Sequence, residues 1–136
     1  MQVNNFNKFP KIELHLHLDC SLSFDVVNKI DSNIDFEEYI SSFQAGSSCS
    51  SLKDYISCAD RAIELMQTKE NLELIVEDLF TQLFNDNVIY AEIRFAPLLH
   101  CEKGLDAKKV VEIICNAAST QSKKHNSYPT TREQIS

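Results

Sequence analysis

The chain has 136 residues, 43% of them hydrophobic and 24% charged, which is length and apolar content enough for one domain with a real core and excludes a wholly disordered chain. A formal charge of −7 argues against nucleic acid or an anionic membrane as the main partner, because both need clustered Lys and Arg. No apolar run reaches the length of a spanning helix, and Met1 to Pro10 is too polar for a secretory signal, so the expectation is a cytoplasmic protein that engages neither membrane nor nucleic acid.

In chain order, a polar leader ends at Pro10 and the run Ile12 to Asp19 reads as a strand. Strand side chains alternate between two faces, so Glu13, His15, His17 and Asp19 share one side and Ile12, Leu14, Leu16 and Leu18 the other. Two imidazoles at i and i+2 have Cβ atoms roughly 6–7 Å apart, which lets both lean onto one divalent ion. The ordinary alternative is a half-exposed strand with unrelated histidines, since His-x-His is a short pattern.

Ser23 is positioned to cap a short helix carrying Phe24, Val27 and Ile30. Asp35 with Glu38 has capping-box spacing ahead of Phe36, Tyr39, Ile40 and Phe43. Gln44 to Ser51, rich in serine, reads as a loop. Ser51 with Asp54 opens a longer helix in which Leu52, Tyr55, Ile56, Ala59, Ile63 and Met66 recur at helical spacing, and Thr68 restarts the pattern. Leu72, Ile75, Val76, Leu79, Phe80 and Leu83 then form an apolar stripe closed by the turn-like Asn85, Asp86 and Asn87.

Val88 to Phe95 is a second strand, dense in β-branched and aromatic residues and stopped by Pro97. Tyr90, Glu92 and Arg94 fall on one face. A loop through Gly104 leads to a helix from about Asp106, with Val110, Val111, Ile114 and Ala117 inward and Lys123, Lys124 and His125 near its end, where cations suit the helix dipole. Strand, helices, strand, helix is the order of a parallel α/β unit, in which the two strands should lie adjacent and parallel. After Asn126 the pattern stops. The five cysteines, Cys20, Cys49, Cys58, Cys101 and Cys115, are scattered and odd in number, which suits free thiols better than disulfides or a zinc knuckle.

With these residues read, the chain resembles the N-terminal part of the adenosine deaminases. The matching stretches are PKIELHLHLD at 10–19, SSLKDYISCADRAIELMQT at 50–68 and VIYAEIRFAPLLHCEKGL at 88–105, in the family's order and spacing. The resemblance implies an α/β fold that is the N-terminal part of a (β/α)₈ TIM-type barrel, with extra helices after the first strand and incomplete in this chain, since such a barrel takes about 250 residues. It divides the chain into 1–126, the barrel portion, and 127–136, a polar tail that departs from the family.

The same resemblance implies a zinc-dependent purine nucleoside aminohydrolase, converting adenosine and water to inosine and ammonia. His15 and His17 match two zinc ligands, and His17 and Asp19 match positions that contact the nucleoside, adenosine or deoxyadenosine. The remaining metal ligands and the catalytic acid would lie beyond residue 136, so no catalytic residue is expected within the chain, and the chain alone is expected to be inactive. Cys20 stands where the family usually has glycine, and Ala59 where an aromatic is common. The other functional readings are a non-catalytic remnant or interaction fragment, and another zinc amidohydrolase; the block at 50–68 argues against the latter. Glu13, Glu92 and Arg94 read as structural charges of the barrel floor, His100 as a surface loop histidine, and Cys58 and Cys115 as near-core thiols.

Overall fold

In the computed structural model, which describes residues 6–46 and 49–125, two strands and five helices follow in the expected order. Strand β1 (Lys11–His17) pairs in parallel with β2 (Val88–Arg94). Between them run α1 (Phe24–Ile30), α2 (Phe36–Phe43), α3 (Leu52–Leu65) and α4 (Lys69–Asn85), and α5 (Ala107–Lys124) follows β2. Residues 127–136, read as a polar tail, lie outside the described residues.

Each helix begins where a short oxygen-bearing side chain can accept a bond from an otherwise unpaired N–H three residues on. Ser23, Asp35, Ser51, Thr68 and Asp106 do so for Val26, Glu38, Asp54, Asn71 and Lys109. Helix α4 ends at Asp86, and the chain reverses into β2 through Asn87, whose φ of 55° lies in the left-handed region that asparagine tolerates. Gly104, at φ 99°, makes the turn before α5, where a Cβ would be strained.

The core is one cluster. Leu72, Ile75, Val76, Leu79 and Phe80 of α4 and Val110, Ile113, Ile114 and Ala118 of α5 pack against Ala91, Ile93 and Phe95 of the second strand and its end. Thus the inward face of α5 runs through Ile113 and Ala118, with Val111 and Ala117 at its margin.

Three expectations change in the structure. First, β1 stops at His17; Leu18–Cys20 turn into a 3-10 helix that buries Leu18 and Asp19, so Asp19 is not on the strand face. Second, the apolar back of β1, which has a neighbouring strand on one side only, is covered only toward its C-terminal end: Ile12 is 62% and Leu14 58% exposed, while Leu16 packs against the core cluster. Third, the register steps by one residue, so Ile12 lies opposite Tyr90 at the start while His17 lies opposite Arg94 at the end. The shared polar face holds only toward the C-terminal end. All five cysteines are free thiols, and no helix among the described residues is long and apolar enough to cross a membrane.

Candidate functional site

The C-terminal end of β1 delivers two imidazoles to one point. The Nε2 atoms of His15 and His17 are 2.9 Å apart and their ring centroids 4.9 Å, with both side chains exposed. Two nitrogens bound to one tetrahedral zinc at about 2.0–2.1 Å lie about 3.3 Å apart. The pair therefore fits a zinc ion after a shift of a few tenths of an ångström. Two donors are not a complete site, and no group of three His, Cys, Asp or Glu among the described residues could hold a metal.

Asp19 follows from the 3-10 turn, with its Oδ1 atom 4.0 Å from His17 Nδ1. The residue is 9% exposed, and Oδ1 is buried without a hydrogen-bond partner. His15, His17 and Asp19 line one open cavity of about 600 Å³, whose far wall is Leu52, Tyr55, Ile56 and Ala59 of α3. The apolar periodicity of α3 is thus divided between two jobs. Ala62 and Met66 enter the core cluster, while Ala59, buried, and Leu52, Tyr55 and Ile56, each more than half exposed, line the cavity opposite the histidines.

Cys20 sits on the cavity rim. Its thiol is pushed up to about 11, first by burial, then by the charge of Asp19 and a hydrogen bond to it. Among the described residues, Asn87 is the one non-glycine with positive φ, so Cys20 occupies the position without left-handed strain. Cys58 and Cys115 are partly buried, as near-core thiols should be.

His100 overturns its reading as a surface loop histidine. It ends the 3-10 turn Pro97–His100 after β2 and has no exposed surface. Burial lowers its pKa, opposed by the charge of Asp19 and by the Met66 backbone. Arg94, expected below the metal level, lies opposite His17, and its Nε is buried without a partner; no ion pair joins it to Glu13. Glu92 accepts a bond from the Tyr90 hydroxyl at 2.9 Å. Gln67 went unnoticed in the sequence. It is 2% exposed and donates to the Ile63 and Leu99 carbonyls, both at 2.8 Å, while accepting from the Glu102 amide at 2.9 Å. Nothing in the pattern around Gln67 marks it, because its partners lie up to 35 residues away.

Comparison with known proteins bears on this arrangement. The family described as "Adenosine deaminase" matches residues 10–127. An adenosine deaminase of Clostridium botulinum is 43% identical over 117 residues, covering 81% of this chain and 35% of its own length. The chain thus spans about a third of the curated relatives it matches. Among solved structures, an adenine deaminase from Arthrobacter aurescens superposes with a TM-score of 0.73 at 18% identity, covering 93% of this chain and 38% of that one. An amidohydrolase from Burkholderia ambifaria with bound Zn gives 0.75 at 16% identity, covering 96% and 35%. At such identities the structures speak for the fold: a segment of the barrel these enzymes share.

Proposed function

The chain belongs to the adenosine deaminase family, and on that premise we propose that it carries the metal-entry strand of a zinc-dependent purine nucleoside aminohydrolase, converting adenosine to inosine and ammonia. The observation that carries this reading is the convergence of His15 and His17 Nε2 to 2.9 Å on the wall of the cavity that also holds Asp19. The botulinum relative, an adenosine deaminase, supports the reaction, and the zinc-bound amidohydrolase supports the metal.

Within the site, His15 and His17 would hold zinc through their converging Nε2 atoms. Zinc, when bound, supplies activation of the attacking water. The Asp19 carboxylate, which lines the same cavity, accepts hydrogen bonds from the ribose hydroxyls. His17, next to Asp19, borders the same sugar. Leu52, Tyr55 and Ile56 offer an apolar surface to the flat purine and exclude water from that side. Further ligands and the acid that protonates the purine ring come from outside the 136 residues, so the chain by itself is inactive.

A chimera tests the proposal. Residues 1–125 are joined to the downstream part of the botulinum relative, and adenosine conversion is followed together with zinc content. The chimera is expected to bind zinc and make inosine, and His17→Ala to lose about three orders of magnitude in rate along with the metal. Activity unchanged by His15→Ala and His17→Ala would refute the assignment.

A further inference from the structure

Between β1 and α1 the chain runs through the 3-10 turn Leu18–Cys20 and then Ser21, Leu22 and Ser23. Inside this segment the bonds are few: the Ser21 hydroxyl donates to the His17 carbonyl, and the Ser21 amide closes on the Leu18 carbonyl at a long 3.3 Å. Burial of Leu18 and Leu22 sets how deep the segment lies, but apolar contact has no direction. Its aim comes from hydrogen bonds made by helices behind it. The Tyr39 hydroxyl of α2 donates to the Leu22 carbonyl at 2.7 Å, and two residues of α4 hold Ser21 and Ser23 on either side.

Asp78 is the hub of that hold. Its Oδ2 atom accepts from the Ser23 amide at 3.1 Å and from Gln82 Nε2 at 2.8 Å, and its Oδ1 atom accepts from the Ser23 hydroxyl at 2.5 Å. Gln82 Nε2 gives its other hydrogen to the Ser21 carbonyl, also at 2.8 Å. A carboxylate only accepts and a primary amide donates twice, so this i, i+4 pair on one face of α4 grips both sides of Leu22 with complementary groups. The Ser23 oxygen still accepts from the Val26 amide, which starts α1. Ser21 is thus tied outward to α4 by its carbonyl and inward to His17 by its hydroxyl. Gln82 lines the cavity that Cys20 and Ser21 share with α2 and α3, and neither Asp78 nor Gln82 lines the one that holds His15, His17 and Asp19.

We propose that Asp78 and Gln82 are positioning residues for the nucleoside site: by holding Ser21 and Ser23 from α4 they fix where the turn presents the Asp19 carboxylate. This gives the outer helix α4 a part in nucleoside binding, and it rests on the reading of Asp19 as a nucleoside contact. Neither residue touches substrate or metal.

Cys20, between Asp19 and Ser21, reports on the turn without nucleoside or zinc. Alkylation of the 136-residue chain by iodoacetamide is followed cysteine by cysteine in mass spectrometry, for the wild type, Asp78→Ala, Asp78→Asn and Gln82→Ala. Cys20 is expected to react about three- to fivefold faster in Asp78→Ala and Gln82→Ala, while the partly buried Cys101 and Cys115 keep their rates. Asp78→Asn, which keeps an acceptor for the Ser23 amide and Gln82, should return most of the way to wild type. Unchanged Cys20 rates would overturn the proposal, and so would equal acceleration at Cys20, Cys101 and Cys115, the mark of general loosening. Gln82 is an exposed helix position where alanine is favourable, so that variant carries the test if Asp78→Ala does not fold. In the chimera, Gln82→Ala should raise KM for adenosine about fivefold with kcat within about twofold, and should add nothing to Asp19→Ala. An unchanged KM, or additive losses, would overturn the positioning role. A chimera without activity counts against the reading of the site itself, and the Cys20 rates still decide whether α4 holds the turn.

Discussion

Replacing Gln67 by alanine should destabilise the fold by about 2–3 kcal/mol. The side chain bridges the end of α3 and the turn after β2, with two amide donations and one acceptance, and is nearly fully buried. The Ile63 carbonyl keeps a second partner, the Met66 amide at 3.0 Å, so its loss is small. The Leu99 carbonyl and Glu102 amide each lose the partner Gln67 supplies, at about 1 kcal/mol apiece where water can partly reach, and the vacated volume adds a comparable amount. For a domain of this length the sum corresponds to a fall of roughly 10 °C in Tm. Thermal unfolding by circular dichroism at low micromolar concentration reads it directly. Gln67→Met restores volume without the hydrogen bonds and should recover about half of the loss, whereas Gln67→Glu sets a carboxylate against two carbonyls and should be at least as damaging as alanine at neutral pH. A Tm change below about 2 °C for Gln67→Ala would refute the argument that these bonds hold the turn.

Zinc should be held weakly: with two histidine donors, dialysis against a mild chelator is expected to strip the chain, and one tight zinc per chain after that treatment would mean that further ligands exist. Cys20, with its thiol raised from 9.0 to about 11, has about a hundredfold less thiolate at pH 8 than an ordinary thiol, partly offset by greater nucleophilicity, so alkylation should run roughly tenfold slower and accelerate as pH rises toward the shifted value. Asp19→Asn removes part of that upward push and should speed the reaction; an unchanged rate in mass-spectrometric alkylation would contradict the electrostatic account. Ile12→Thr with Leu14→Thr removes exposed apolar surface from β1 and leaves β-branched residues at both positions, and should lower self-association in sedimentation velocity with little change in Tm.

The sequence was most legible where the controlling physics is local. Helix starts at Ser23, Asp35, Ser51, Thr68 and Asp106 follow from single side chains three residues from the amide they cap, and both strands end within two residues of their expected limits. The pairing of His15 with His17 likewise needs only strand alternation. What escaped depends on contacts distant in sequence. The burial of His100 is decided by the packing of its turn, and a single polar residue after a proline carries no periodicity to announce it. The division of α3 into a core face and a cavity face is invisible to hydrophobic spacing, because Leu52, Tyr55 and Ile56 are as apolar as the residues that pack. The uncovered back of β1 has the same origin: alternation predicts which residues share a face, and only the neighbouring elements decide whether that face is covered.

The most direct test is turnover by the unaltered 136-residue chain, supplied with zinc and adenosine and followed by inosine formation. No conversion above the uncatalysed background is expected, because His15 and His17 alone do not complete a metal site among the described residues, and on the proposed reading the acid that protonates the purine ring lies outside this chain. Inosine produced by this chain and abolished by His17→Ala would contradict the account, since it would place a complete catalytic site within these residues.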